Sequence, residues 1–311
     1  MSNNATTGAT GPSSRTGLSA GVDLRPRSRP GERVITLVLR IAAFASIAIT
    51  FGIIAALIQP VIDFFGEVPF GDFFAFEGTF AVMPLVTATL MVTVIALLLA
   101  VPLGLGAALY LSEYASRRAR KVLKPTVELL AGVPSVVYGF FALTFVTPTL
   151  LQDLLNIDVG FTNALAAGLV LGVMIIPTIA SLAEDAFSAV PQSMRQGSFA
   201  MGANRMQTSL RVVFPAALSG VAAAIVLGMS RAIGETMIVT LAAGSLKQFS
   251  LDPRDGMQTM TGFMATTAGG ENPVGSIDYN KLFAVGLLLF LITLVLNLIS
   301  ISIVRRYRQV Y

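Results

Sequence analysis

The sequence contains no cysteine, no histidine and no tryptophan in 311 residues, and only 12% of its residues are charged. The lack of cysteine excludes disulfides, thiol nucleophiles and thiolate metal sites. The lack of histidine excludes the Ser-His-Asp triad and the His-Glu-x-x-His metalloprotease helix. No Gly-Lys dipeptide occurs, so no Walker A loop cradles the phosphates of ATP on this chain. Charge is about half as frequent as in an average soluble protein. What fills the sequence instead is apolar: 54% hydrophobic residues and a mean hydropathy of +0.77. A helix that crosses a bilayer needs about 20 mostly apolar residues, so this excess supplies several crossings, whereas a soluble domain would hide it poorly. The composition predicts an all-α polytopic membrane protein that carries out no covalent chemistry and binds no metal.

Residues 1–33 are rich in Ser, Thr, Gly, Asn and Arg and read as a disordered cytoplasmic tail. The apolar run after them is too long for a signal peptide, and no small-x-small cleavage site follows it. Uncharged runs then cover 41–62, 78–112, 129–152, 159–183, 212–230 (continuing past two charges to 246) and 282–304, which predicts six transmembrane helices. Residues 34–77 hold the first span and an external loop crowded by Phe64, Phe65, Phe70, Phe73, Phe74 and Phe76, read as interfacial anchors or a short surface helix. Residues 78–306 form the main transmembrane domain, and 307–311 a cytoplasmic C-terminus. Pro134 and Pro177 fall inside their spans and favour a packed bundle, where neighbours satisfy the carbonyls each frees.

Basic residues orient the spans. Arg15, Arg25, Arg27, Arg29, Arg33 and Arg40 precede the first run; Arg117, Arg118, Arg120, Lys121 and Lys124 lie between the second and third. Arg195, Arg205 and Arg211 lie between the fourth and fifth, and Arg305, Arg306 and Arg308 follow the sixth. Only Lys247, Arg254 and Lys281 fall on the other side, among ten acids. The positive-inside rule puts both termini in the cytoplasm. The net charge of +4 is therefore a topology signal and gives no reason to invoke nucleic acid.

The loop over 190–211 joins a basic, part-apolar stretch, Val190-Pro-Gln-Ser-Met-Arg-Gln196-Gly197-Ser198-Phe-Ala-Met-Gly202-Ala203-Asn-Arg205, to Val212-Val-Phe-Pro215. It reads as two short helices around a glycine turn, with Pro215 starting the next span. On pattern alone an ordinary surface loop and a docking element remain equally open. The segment resembles the coupling motif of ABC importer permeases, Glu-Ala-Ala-x3-Gly-x9-Ile-x-Leu-Pro. Gly202 stands at the glycine, Pro215 at the proline, Val212 and Phe214 at the apolar places, and Gln196, Gly197 and Ser198 replace Glu-Ala-Ala. Two further stretches, Glu128-Leu-Leu-Ala-Gly-Val-Pro134-Ser135-Val-Val-Tyr138-Gly139 and Arg231-Ala-Ile-Gly-Glu235-Thr236-Met, are similar to the C-type permeases of phosphate-specific transport.

That resemblance implies a type I ABC importer permease fold. It implies an A-type permease as heterodimer partner, two ATPase subunits docking on the 190–211 loop, and an extracytoplasmic phosphate-binding protein. It also implies that no cofactor binds this chain, ATP and Mg being used by the ATPase. The residues alone point the same way at one place. Arg231 and Glu235 are four apart and, on one helix, share a face. Counted from Pro215, Arg231 lies about 24 Å along the span. A central arginine costs about 2.5–3.5 kcal/mol on insertion scales and so faces the bundle interior or a wet path. Its planar fork grips an oxyanion, and Glu235 can hold it when no anion is present. A structural ion pair is the competing reading. Thr236 is grouped with them in the substrate path, while Pro134, Ser135, Tyr138 and Pro177 are assigned to kinks and packing. Met257, Met260, Phe263 and Met264 fall at helical spacing and predict a short interfacial or re-entrant helix. A permease for molybdate, sulfate or another oxyanion, and a secondary anion transporter, remain as alternatives.

Overall fold

The structure, a computed structural model, describes residues 30–306. The tail expected over 1–29 and the C-terminus expected over 307–311 lie outside the described residues. The described residues are helical and contain no strand. In chain order they form α1 (Pro30–Glu67), α2 (Phe70–Phe73) and α3 (Met83–Leu109), which a π-helical turn at Tyr110–Tyr114 prolongs. Then come α4 (Arg117–Leu130), α5 (Ser135–Phe141) with its π-helical continuation Ala142–Leu154, and α6 (Ala164–Ser188). After α7 (Gln192–Ala200) and α8 (Arg205–Thr208) a π-helical turn, Ser209–Val213, leads into α9 (Phe214–Ala216) and α10 (Leu218–Ile233). The chain ends with α11 (Met237–Ala242), α12 (Met260–Ala268) and α13 (Ile277–Arg306).

Five helical stretches are long and apolar enough to cross a bilayer, and a sixth forms if the pair 205–216 and 218–233, bent by 71°, counts as one span. Five of the expected six spans are thus continuous helices, and the remaining one is α10, which reaches span length only together with the bent segment before it. Two boundaries move. Residues 30–33 are helical and not tail, since α1 begins at Pro30. The third span begins at Ser135, because the chain breaks after Leu130 and Pro134 caps α5 from outside the helix. Proline fixes its own φ and disfavours helix in the residue before it, so Pro134 marks a helix start where the sequence reading put it mid-span. Pro177 does lie within a continuous α6, fully buried.

The described chain divides at Ile53 into two units. In the first, the α1 turns up to Ile53 bury no side chain; Val34, Leu39, Phe44 and Phe51 are all exposed. In the second, α3 and α6 form the central pair. Their approach is close because small residues line it: a β-carbon on Gly168 would come within 2.6 Å of Ile95, and one on Gly172 within 2.9 Å of the Ala96 carbonyl. Ala88, Ala96 and Ala100 of α3 and Ala164, Ala167 and Ala180 of α6 are fully buried alongside. In a bilayer such small residues let backbones approach and dispersion contacts accumulate. A second cluster packs Val61 and Phe64 against Phe73, Leu85, Met260 and Val285. The expected aromatic surface loop is therefore part core. Phe64 and Phe73 are completely buried, while Phe70, Phe74 and Phe76 remain exposed.

The segment after α11 turns back on the bundle. Its helix α12 packs on α13, α11 and α3, and the Met260 N–H donates to Thr89 Oγ1 at 2.9 Å. Met257 and Met260 are buried. The helix expected from the methionine spacing is present, and it starts at Met260, with Met257 in the turn before it.

Candidate functional site

The first element of interest runs from the end of α6 to the start of α10. Pro191 sets the entry into α7, and α7 ends in a tight turn where Gly202 adopts φ +82. That left-handed conformation suits glycine and strains a residue with a β-carbon. Asn204 then caps α8 with a reciprocal box: its side chain accepts from the Gln207 N–H at 2.8 Å, while Gln207 Oε1 accepts from the Asn204 N–H at 3.0 Å. The two short helices expected around a glycine turn are both present. Ser198 Oγ and Thr208 Oγ1 lie 2.9 Å apart and tie α7 to α8. Gln196 and Gly197 are exposed, Ala203 is half-buried, and Phe199, Met201, Met206 and Leu210 stand out as an exposed apolar ridge. Pro215 is exposed in α9, and the span proper starts at Leu218 after the bend.

Sequence reasoning missed how this element is anchored. Arg195 of α7 is 7% exposed, and its guanidinium donates to the carbonyls of Phe187 and Val190 and to Glu113 Oε1. The Arg195–Glu113 ion pair measures 2.9 Å, with both side chains nearly buried. One side chain thus joins α7 to the end of α6 and to the π-helical end of α3. The planar fork with its several donors suits this three-way role. The only signal in the sequence was an arginine in a loop rich in arginine, with its partner 82 positions away.

A second buried carboxylate lies nearby. Glu184 of α6 is completely buried and pairs with Arg120 and with Lys124 at 2.6 Å; Lys124 also reaches Asp185 at 2.9 Å. Hydrogen bonds from Lys124 to Glu184 and then Asp185 raise its pKa above the ordinary 10.5. The Lys124 part of the tie between α4 and α6 is therefore fully charged through the neutral range and is lost as pH rises through that raised value, while Arg120 stays paired with Glu184.

The second element is the end of α10. The sequence reading placed Arg231 and Glu235 on one helix face, and the structure does not. Arg231 occupies the last turn of α10, which ends at Ile233, and Gly234 caps it. Glu235 sits in the connector, half-buried, and its Oε1 accepts from the N–H groups of Met237 and Ile238 at 3.2 and 3.4 Å. The carboxylate caps α11 in place of meeting the guanidinium, a favourable use of negative charge at orphan N–H donors. No ion pair joins the two among the described residues. Arg231 is exposed on this chain, about 20 Å along the span from Leu218. Thr236 follows Glu235 in the connector, and its carbonyl accepts from the N–H and the hydroxyl of Thr240. From α12, Thr261 donates to the Glu235 carbonyl at 2.6 Å.

The fold brings the two motif stretches together. Helix α5 packs on α11, so closely that a β-carbon on Gly139 would come within 2.7 Å of Leu241. Tyr138 packs on the core cluster that includes Ala232, Ile238 and Val239, and its hydroxyl donates to the Leu130 carbonyl at 3.2 Å across the break before α5. Ser135 is half-buried one turn earlier. Helix α5, at the end of the stretch 128–139, thus packs on the helix that follows the break at Gly234. Among the described residues no group of His, Cys, Asp or Glu is arranged to hold a metal.

A helical bundle with a basic, anchored helix pair between its fourth and fifth spans has the fold of type I ABC importer permeases. The structure superposes on a chain of a bacterial ABC transporter for the polysaccharide alginate with a TM-score of 0.63 at 15% identity, covering 90% of this chain and 99% of that one. It matches a chain of the MetNI methionine ABC transporter with a TM-score of 0.54 at 18% identity, covering 73% and 94%. The protein belongs to the family of binding-protein-dependent transport system inner membrane components, whose pattern matches residues 100–309. Its relatives include the probable ABC transporter permease protein YqgH of Bacillus subtilis, 36% identical over 88% of this chain and 89% of that one. They also include the phosphate transport system permease proteins PstC of Haemophilus influenzae, 31% identical over 74% and 77%, and PstC 1 of Mycobacterium tuberculosis, 34% identical over 73% of each. The chain is a multi-pass membrane permease subunit and not an enzyme.

Proposed function

We propose that this chain is the C-type permease subunit of an ATP-driven importer that moves inorganic phosphate across the bacterial cytoplasmic membrane. The observation that carries this reading is the junction of the two motif stretches at the break after α10. There Arg231 ends a span with no carboxylate partner among the described residues and an open face. An unpaired guanidinium at such depth suits an anionic cargo, and its exposure suits a path shared with a second, A-type permease. The relatives named as phosphate permeases support phosphate over molybdate or sulfate.

Both termini lie in the cytoplasm, as the distribution of basic residues requires. The exposed ridge of α7 and α8 then faces the cytoplasm and docks on an ATPase subunit, two copies serving the permease pair. ATP and Mg are used there, and this chain binds neither. An extracytoplasmic phosphate-binding protein delivers cargo to the outer face. When the ATPases close, the docked element moves, and Arg195 transmits the displacement to α3 and α6. The turn at Ser209–Val213 passes it along the chain into α10, which ends at Arg231. The path then opens outward in alternating access. Uptake of radiolabelled phosphate by cells expressing the complex tests the reading. It should depend on the partner ATPase and resist excess sulfate and molybdate. Uptake that survives ATPase deletion would indicate a secondary transporter, and competition by molybdate or sulfate would indicate another oxyanion.

A further inference from the structure

We infer that α4 is an interfacial helix that binds anionic lipid headgroups at the cytoplasmic surface of the membrane. Its 14 residues contain no buried side chain, yet its composition is divided sharply around the helix. Arg117, Lys121 and Lys124 recur along one arc, with Arg118 and Arg120 at its margins, while Val122, Leu123, Leu129 and Leu130 occupy the opposite arc. Those four apolar side chains are all exposed, Val122 at 65% and Leu129 at 76%.

The basic residues divide into two groups. Arg120 and Lys124 turn inward onto Glu184 and Asp185 and fix the helix to α6. Arg117, Arg118 and Lys121 are exposed, and among the described residues none of them has a carboxylate within ion-pair distance. Glu128, the one acid on the arc, is exposed and likewise makes no ion pair among the described residues. The anchoring pairs therefore do not account for the other three cations.

The occupant follows from where α4 begins and ends. The span that includes α3 finishes at Tyr114, two residues before the helix cap Ser116, and the next span starts at Ser135. Both ends of α4 thus join segments inside the bilayer, which holds the helix at the membrane edge. Its exposed apolar arc has the acyl boundary available, and its free cations have the headgroups. An apolar face opposite an arginine- and lysine-rich face is the pattern of helices that lie in the interface plane, and anionic headgroups supply the complementary charge. The exposed rings of Tyr110 and Tyr114 at the entry to the helix are side chains favoured at that depth.

The inference rests on the cytoplasmic placement of α4 proposed above, but its test reads lipid contact and not transport. Because the chain has no cysteine, Val122→Cys gives it a single labelling site, which carries the only fluorophore when the partner subunits of the assembled transporter are made cysteine-free. In nanodiscs of phosphatidylcholine that contain equal mole fractions of spin-labelled phosphatidylglycerol or spin-labelled phosphatidylcholine, the anionic quencher should be about twofold more effective. High salt should erase that preference. So should Arg117→Gln combined with Arg118→Gln and Lys121→Gln, which alters only exposed side chains, while quenching by phosphatidylcholine persists. Equal quenching by both lipids would overturn the anionic preference. Absence of quenching by either would show that protein covers this face, and would overturn the interfacial placement while leaving the phosphate reading untouched.

Discussion

Arg195 shows how much one buried side chain organises. Its guanidinium reaches two carbonyls at the end of α6 and Glu113 at the end of α3, so it makes α7 part of a rigid corner. Glu113→Gln would leave that cation nearly buried without a counter-charge, holding only its carbonyl partners and a neutral amide oxygen. Breaking a buried pair from one side costs about 3–5 kcal/mol, and the retained carbonyls argue for the low end. Purified complex should unfold at a lower temperature, and the ATP hydrolysed per phosphate imported should rise. Unchanged stability and unchanged stoichiometry would remove Arg195 from the transmission route. Arg231 calls for a different experiment, because it has no ionic partner to lose. Arg231→Gln should leave abundance and assembly unaltered while uptake collapses, and Arg231→Lys should also be poor, since an ammonium lacks the planar fork. Glu235→Gln keeps an oxygen to cap α11 and should be milder. The double substitution should then behave as Arg231→Gln alone. Recovery of uptake in the double variant would restore the ion-pair reading.

At the scale of elements, the helix pair α7 and α8 owes its shape to one backbone conformation and one capping box. Gly202 at φ +82 has no atom near its would-be β-carbon, so a side chain there meets strain and not collision. Left-handed backbone costs an L-residue about 1–2 kcal/mol, and more when it is β-branched. Gly202→Val should therefore leave the protein in the membrane, displace α8 relative to α7, and uncouple ATP hydrolysis from uptake. Full transport by that variant would show that the turn is not the coupling device. The fifth span illustrates the complementary case. Its sequence runs apolar from 212 to 246 except for two charges, yet the chain bends by 71° before Leu218 and breaks again at Gly234. The π-helical turn at Ser209–Val213, Pro215 in α9, and Gly234 before the capping carboxylate of Glu235 supply the local means. Hydropathy is blind to all three, because it counts transfer energy and not hydrogen-bond register.

For the whole molecule the decisive prediction is sidedness. With both termini inside, a cysteine introduced by Ser193→Cys should react with a membrane-impermeant maleimide only after the cells are opened. The otherwise cysteine-free chain makes the result unambiguous. Labelling in intact cells would reverse the topology and remove the docking surface from the cytoplasm. How much was already in the sequence can be judged from particular residues. The long apolar runs alone determined the class of fold, because burying backbone in a bilayer leaves helices as the means of satisfying every N–H and C=O in an uncharged chain. The glycine turn at Gly202 was legible as the joint between two short helices, since glycine acts through local backbone geometry, whereas the spacing from Gly202 to Pro215 spoke only through its likeness to the coupling motif. Pro134, by contrast, was assigned to the interior of a span and proves to cap α5, because one proline fits both places until the neighbouring turns are known. Arg231 and Glu235 were joined by their spacing and are separated by Gly234, because a four-residue interval implies a shared face only while the helix continues. The pairing of Glu113 with Arg195, the pairing of Glu184 with Arg120 and Lys124, and the packing of Gly139 on Leu241 were decided by tertiary structure alone. Each joins residues roughly 60 to 100 positions apart, and such contacts follow from how the spans pack, which no local pattern records.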